Sequence, residues 1–167
     1  MNFMEKTIFE KILLDLESEG FVVDSYDFNR PWGGFFVIEE SQAQQFANRF
    51  FNGLAVEGLR IAGKLSPKIL VVKSGARLSW QYHHRRAERW RVVEGKVAVM
   101  TSDTDAEGEI HSLSVGDEII LRQGERHRLI GLDDWGVVAE FWQHTDSLHP
   151  SDEEDIVRVQ DDYGRGQ

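Results

Sequence analysis

No cysteine occurs in the chain of 167 residues. Disulfide frameworks and thiolate metal sites are therefore excluded, and any metal must be held by imidazole, carboxylate or amide groups. Basic residues are in deficit: 19 Lys and Arg stand against 29 Asp and Glu, a formal net charge of −10. Such a chain lacks the basic face that nucleic acid requires, so no nucleic-acid partner is expected. An anionic ligand would have to be met by a local cluster of Arg and Lys. No apolar run approaches the ~18 residues of a membrane span. The N-terminus has no basic segment followed by an apolar one, so no secretion signal is read there. A cytoplasmic protein with no membrane partner is the expectation.

What is present suits one folded domain. Hydrophobic residues make up 41% and aromatic residues 11%, enough to fill a core. Residues 3 to 19 read as an amphipathic helix: Ile8, Phe9, Ile12, Leu13 and Leu16 recur on one face, and Gly20 is the stop. That helix is expected to cover an end or a face of the fold. Phe21 to Val23 reads as a short strand. Arg30-Pro31-Trp32-Gly33-Gly34 reads as a turn, with Arg30 and Trp32 as a packed corner, and Phe35 to Ile38 as a further strand. Ser41 to Phe51 reads as a second helix capped by Ser41, with Ala43, Phe46 and Phe50 facing inward. Residues 52 to 66 have no clear period and read as a loop or irregular hairpin.

From Pro67 onward, short apolar segments alternate with Gly75, Gly95, Gly108, Gly116, Gly124 and Gly131. Many short strands with regular turn signals indicate a β-sandwich or barrel. The acidic run from Ser151 to Asp155 would ordinarily be solvated, but Ile156, Val157 and Val159 behind it argue that the chain returns to the fold.

The chemistry gathers between Gly75 and Gly95. Gln81 and His83 are two residues apart and so share one face of a strand; Glu88, Trp90 and Val92 share a face of the next. A turn at about Arg85 to Ala87 joins the two. If both faces point inward, Gln81, His83 and Glu88 converge, and His127 adds a fourth ligand from a later strand. An N2O2 set suits one divalent metal, with Zn the first expectation and Mn, Co, Fe or Ni compatible. His84 has the opposite parity and falls outside the set. Parity also turns Arg89 and Arg91 outward, toward the acidic tail or a partner copy. Trp80, Trp90, Trp135 and Trp142 read as core, with Trp90 the one to line the cavity.

Written out, Gly75, five residues, Gln81, one residue, His83, four residues, Glu88, six residues, Gly95 resembles the first motif of the cupin superfamily, with Gln81 where the first His usually stands. Gly116, Gly124 and His127 resemble the second motif, with Arg122 in place of the usual Pro and Gly131 in place of the usual Asn. Arg30-Pro31-Trp32-Gly33, Gln81-Tyr82-His83-His84-Arg85-Arg86-Ala87-Glu88-Arg89-Trp90, His127-Arg128-Leu129 and Asp155-Ile156-Val157-Arg158 with Asp161, Tyr163, Gly164 and Arg165 narrow the match. Together they resemble the type II mannose-6-phosphate isomerase cupin domain, which is often joined to a sugar-nucleotide pyrophosphorylase and here would stand alone.

The resemblance implies an all-β fold, a cupin double-stranded β-helix or jelly-roll barrel, with helices added near the N-terminus. It implies one domain over residues 1–167: a helical extension over 1–27, then an isomerase-like cupin over 28–165 with an insertion at about 41–66. It implies a metal-dependent aldose–ketose isomerase acting on a small phosphosugar, mannose 6-phosphate to fructose 6-phosphate, through a cis-enediol. Arg158 becomes an active-site residue, Lys73 a cation that could share its work, and Glu140 the candidate base. Barrels of this type often pair, so a homodimer is expected. Two alternatives stay open: a non-catalytic cupin that binds a sugar or sugar phosphate, and an isomerase or epimerase of another phosphosugar.

Overall fold

Helix α1 spans Phe3–Ser18 and ends as the Gly20 position requires. The Phe21 amide bonds to the Leu16 carbonyl and the Gly20 amide to the Glu17 carbonyl, while Gly20 takes φ +87°. This is the left-handed stop that glycine favours, closed by Phe21 packing with Leu16 in one apolar cluster. The computed structural model describes residues 3–165, with side chains from Thr7 onward.

The strand after α1 is longer than the sequence pattern suggests and lies elsewhere. Strand β1 runs Val23–Arg30, turns at Pro31 and Trp32, and pairs antiparallel with β2, Gly33–Ile38. Strand β1 is exposed or half-buried along its whole length and has no continuous apolar run, which is why the sequence pattern misplaces it. A 3-10 turn at Glu40–Gln42 leads into α2, Ala43–Phe50, so Ser41 is not its cap and Gln42 holds that position without a side-chain bond to the helix's own backbone. Ala43, Phe46 and Phe50 are buried as expected. Residues 52 to 66 form a loop with a 3-10 turn at Glu57–Leu59 and a single bridge between Ile61 and Lys64.

The rest is β: β3 Lys68–Val72, β4 Trp80–Tyr82, β5 Arg86–Glu94, β6 Lys96–Ser102, β7 Glu109–Ser114, β8 Glu118–Leu121, β9 Arg126–Gly131, β10 Gly136–His144 and β11 Val157–Gln160. They form two antiparallel sheets, β1-β2-β3-β10-β5-β8 and β11-β4-β9-β6-β7. Between them lie Leu70, Val72, Trp90, Val92, Val97, Val99, Leu121, Leu129 and Val138. The other face of the six-stranded sheet presents Ile69, Val71, Val137, Ala139 and Phe141 to Phe9, Ile12, Leu16, Phe46 and Phe50 of the helices. Strands β3 and β10 are therefore apolar on both faces. The helices cover a sheet face rather than an open end.

Gly131 closes β9 where it crosses the turn after β3. A Cβ there would collide with the Lys73 carbonyl oxygen, so only glycine permits the approach. Arg122, at the place of the usual cupin Pro, donates its backbone N–H to Glu125 Oε1 at 2.9 Å, a bond proline could not make. Among the described residues, no helix is long and apolar enough to cross a membrane.

Candidate functional site

The two sheets bring the four expected ligands together. Gln81 on β4 is the register partner of His127 on β9, and His83 follows β4 directly. Glu88 comes from β5 of the facing sheet, whose strict alternation turns Arg86, Glu88, Trp90 and Val92 inward. His127 Nε2 lies 2.8 Å and His83 Nε2 3.4 Å from the same oxygen, Glu88 Oε1. One ligand atom each from His83, Glu88 and His127 falls within 4.8 Å of the others. All three residues are buried.

The hydrogen bonds behind these groups fix their chemistry. His83 Nδ1 donates to the Asp155 carbonyl at 2.6 Å, and His127 Nδ1 donates to the Glu125 carbonyl at 3.1 Å. Those partners assign the ring proton to Nδ1 and leave both Nε2 lone pairs facing the centre. Burial pushes the His83 imidazole below its ordinary pKa, so it is neutral at pH 7. Burial acts to raise Glu88, yet the adjacent His83, Arg86 and His127 hold it well below the usual carboxylate range. Glu88 Oε1 is buried and accepts no hydrogen bond. Unprotonated nitrogen and oxygen acceptors thus converge on one point, an arrangement that a divalent cation stabilises and that otherwise costs free energy. Gln81 Oε1 accepts from the Ser79 hydroxyl at 2.5 Å, while its amide nitrogen lies 3.4 and 3.5 Å from the two Nε2 atoms. Turning the amide over would offer Oε1 to the metal, and the Ser79 hydroxyl can accept as readily as it donates. The donor set fits a divalent metal with imidazole and oxygen ligands.

The acidic run holds this site in position, which its composition does not reveal. The Asp155 carboxylate accepts the backbone N–H groups of His84 and Arg85 at 2.9 and 3.0 Å and the Ser151 hydroxyl at 2.6 Å. Burial acts to raise its pKa, but these bonds and Arg85 keep it below its ordinary value. Asp155 therefore clamps the turn between β4 and β5 while its carbonyl orients His83. Asp155→Asn replaces one acceptor with a donor facing those amides. Metal affinity is expected to fall about tenfold, read by competition with a chromophoric chelator. Unchanged affinity would mean that the strands alone hold the turn.

A polar cavity adjoins the ligands. It is lined by Arg30, Trp32, Lys68, Gln81, Arg86, Glu88, Trp90, Glu140, Trp142, Glu153 and Arg158, among others. Glu140 and Arg158, both expected at the site, reach it. Lys73 does not line it. Lys73 stands past the end of β3 with the parity of the outward-facing Ile69 and Val71, whereas Lys68 shares the inward parity of Leu70. Arg30 lines the cavity and is no mere packed corner. Arg86 is not in the turn but begins β5, because the turn ends at Arg85. Its guanidinium lies 3.4 Å from Glu88 Oε2, 3.3 Å from His83 Nε2 and 3.5 Å above the Trp142 ring, and is bonded to Ser151 Oγ at 2.9 Å. The i, i+2 spacing from Glu88 was the signal for it. Trp142 joins Trp90 on the lining. Arg89 pairs with Glu118 on the neighbouring strand at 3.2 Å, while Arg85 is the arginine that reaches Asp152.

Glu140 is fixed from both sides. Trp90 Nε1 donates to Oε2 at 2.6 Å and Trp142 Nε1 to Oε1 at 3.0 Å. Burial first and the neighbouring Glu88 charge second push its carboxyl up to about 8. A cation held by Glu88 would offset the second cause and lower the Glu140 pKa from there.

His144, at the end of β10, serves the structure. Its Nδ1 accepts the Ser151 N–H at 2.9 Å and its Nε2 lies 3.2 Å from Ser66 Oγ. Burial, aided by the Arg86 charge, lowers it to about 4. The unfolded chain takes up this proton below its ordinary pKa of about 6.5 and the folded chain does not. The stability concerned is present above that value and lost as the pH falls toward 4. His144→Asn keeps an acceptor for Ser151 and removes the titration. Its urea midpoint is expected to fall less than wild type between pH 7 and pH 5; parallel falls would assign the acid sensitivity elsewhere.

Two antiparallel sheets closed around an imidazole–carboxylate centre define a cupin-type barrel. Within that class, the chain belongs to the mannose-6-phosphate isomerase C-terminal family, whose model matches residues 53–161. It is 32% identical to the xanthan biosynthesis protein XanB of Xanthomonas campestris over 81% of this chain and 23% of that protein. It is 29% identical to the mannose-1-phosphate guanylyltransferase ManC of Salmonella typhimurium over 96% of this chain and 27% of that protein. The chain thus spans about a quarter of the length of these curated relatives. Among solved structures, the capsular polysaccharide assembling protein CapF of Staphylococcus aureus superposes with a TM-score of 0.53 over 84% of this chain and 34% of that one. At 15% identity that likeness is one of fold alone.

Proposed function

We propose that the chain is a metal-dependent aldose–ketose isomerase of phosphosugars, with mannose 6-phosphate and fructose 6-phosphate as the expected pair. The observation that carries this reading is Glu140: a fully enclosed carboxylate, with a pKa near 8, in one cavity with the His83–Glu88–His127 acceptors and the Arg86 guanidinium. Family membership supports the same chemistry.

His83, Glu88 and His127, with Gln81, would hold a divalent cation, which would supply Lewis-acid polarisation of the substrate's carbonyl and hydroxyl oxygens. Glu140 takes the C2 proton on a carboxylate oxygen. Each of its oxygens accepts one indole N–H and retains a lone pair for this. The electron pair of the C2–H bond passes into the C1–C2 double bond of a cis-enediol while the π pair of the C1 carbonyl moves onto O1. When Glu140 returns the proton to C1, the double-bond pair becomes the new C1–H bond, the O2–H pair becomes the C2 carbonyl π bond, and the proton released from O2 ends on O1. Arg86 stabilises the negative charge that develops on oxygen. Its stacking on Trp142 and its bonds to Ser151 and the Asp152 carbonyl hold it in place before the reaction begins.

The test is isomerisation of mannose 6-phosphate by the purified protein, as isolated, after chelation, and after return of Zn, Mn or Co. Turnover abolished by the chelator and restored by a metal is the expected result. Protein that holds a metal yet converts no phosphohexose would overturn the reading in favour of a sugar-binding cupin.

A further inference from the structure

The cavity carries more positive charge than the proposed proton transfer uses. Arg30, Lys68, Arg86 and Arg158 all line it, in a protein whose formal net charge is −10. Arg86 is occupied by Glu88, Ser151 and the Asp152 carbonyl. Arg165 is tied to Asp161 by two bonds of 2.9 Å. Arg30 and Arg158 are poorly satisfied. The Nε atoms of Arg30 and Arg158 are buried and have no hydrogen-bond partner, and Asp27 approaches Arg30 only to 3.7 Å. Arg158 is the register partner of Gln81, one strand from the ligand centre.

One anion of the chain sits among these cations. Lys68 Nζ, on a side chain only 7% exposed, is bonded to Glu153 Oε1 at 2.7 Å. The same ammonium lies 4.8 Å from the ring centres of Phe35 and Trp142, which fix it there. Glu153 lines the cavity with its carboxylate while its side chain remains 64% exposed, so it can swing out to solvent. Lys68, Arg86 and Arg30 all act to hold its pKa down against burial. Its charge in turn offsets the crowding of Arg158 by Arg165 and Arg30.

We propose that Arg30, Lys68 and Arg158 form the subsite for a phosphate monoester, and that the Glu153 carboxylate occupies it in the free protein as a built-in competitor. The assignment rests on the phosphosugar reading above and adds to it the residues that select the phosphate. Guanidinium groups suit the planar, multidentate recognition of phosphate oxygens, and a caged lysine adds a point charge. When phosphate enters, the Glu153 side chain leaves Lys68 for solvent. The apparent affinity is reduced by whatever fraction of molecules holds the carboxylate in place.

The experiment is calorimetric titration of the metal-loaded protein with inorganic phosphate, in wild type, Arg30→Gln and Glu153→Gln, with the Michaelis constant for mannose 6-phosphate measured beside it. Arg30→Gln is expected to weaken phosphate binding about tenfold or more and to raise the Michaelis constant in step. Glu153→Gln is expected to do the reverse, tightening phosphate about threefold to tenfold. If Arg30→Gln fails to fold, as a lowered thermal midpoint would reveal, the largely exposed Glu153 still decides the matter. Equal phosphate affinity in wild type and Glu153→Gln, or weaker affinity in that variant, overturns the proposal. Absent isomerase turnover with phosphate affinities that shift as expected would overturn the isomerase reading and leave the subsite standing. Turnover with phosphate affinities that do not shift would do the opposite.

Discussion

Glu140→Gln protein is expected to keep its metal and to lose about a thousandfold in isomerase turnover, the usual scale for removing a positioned general base. The substitution preserves volume and an oxygen acceptor between Trp90 and Trp142, and Glu140 is not among the three converging ligand residues. What it removes is the one buried carboxylate in the cavity that is not committed to the cation. The decisive readout is exchange of the C2 proton of mannose 6-phosphate with deuterated solvent. Loss of exchange together with loss of turnover, at unchanged metal content, identifies Glu140 as the group that moves the proton. Turnover within a few-fold of wild type would assign the base elsewhere, and the free lone pairs of Glu88 would be the next place to look.

The second large effect belongs to His127. His127→Ala is expected to lose the metal and the activity together, because it deletes the nitrogen closest to Glu88 Oε1, at 2.8 Å, and leaves that carboxylate without its nearest partner. Metal content by elemental analysis and turnover on one preparation provide the test. An active protein without bound metal would sink the mechanism. His84→Ala is the matching control. His84 lies one residue beyond His83, is exposed, and meets the site only through its backbone N–H to Asp155. The contrast separates loss of a ligand from loss of any histidine in the segment.

The relation of these residues to the sequence is uneven. Gln81, His83 and Glu88 lie within eight positions, and alternation along two short strands is enough to point them at one another. His127 follows from the same argument only once β9 is known to lie beside β4. Helix α1 is legible because its apolar period is local and its glycine stop is chemically specific. Strand β1 is not, since it alternates too weakly to stand out. Lys73 and Lys68 differ by five positions, so one faces out and the other in, but choosing between them requires the register of β3 against β2 and β10.

What the sequence determined by itself, then, is what depends on neighbours along the chain: the all-β class, the absence of thiolate chemistry, the ligand types and their strand parity. Tertiary structure alone decided what depends on neighbours in space. Glu140, already the candidate base in the sequence, acquired its indole partner because β10 pairs with β5 so that Trp90 stands opposite it. Arg86 became the cation beside the ligands because the turn ends two residues earlier than the spacing suggested. Asp155 became the clamp because β11 returns to the edge of β4 and carries a run of carboxylates into the protein. A carboxylate on the chain carries no mark of whether it will meet water, a backbone amide or an indole. Its pKa and its role are set by desolvation and by partners that lie tens of residues away.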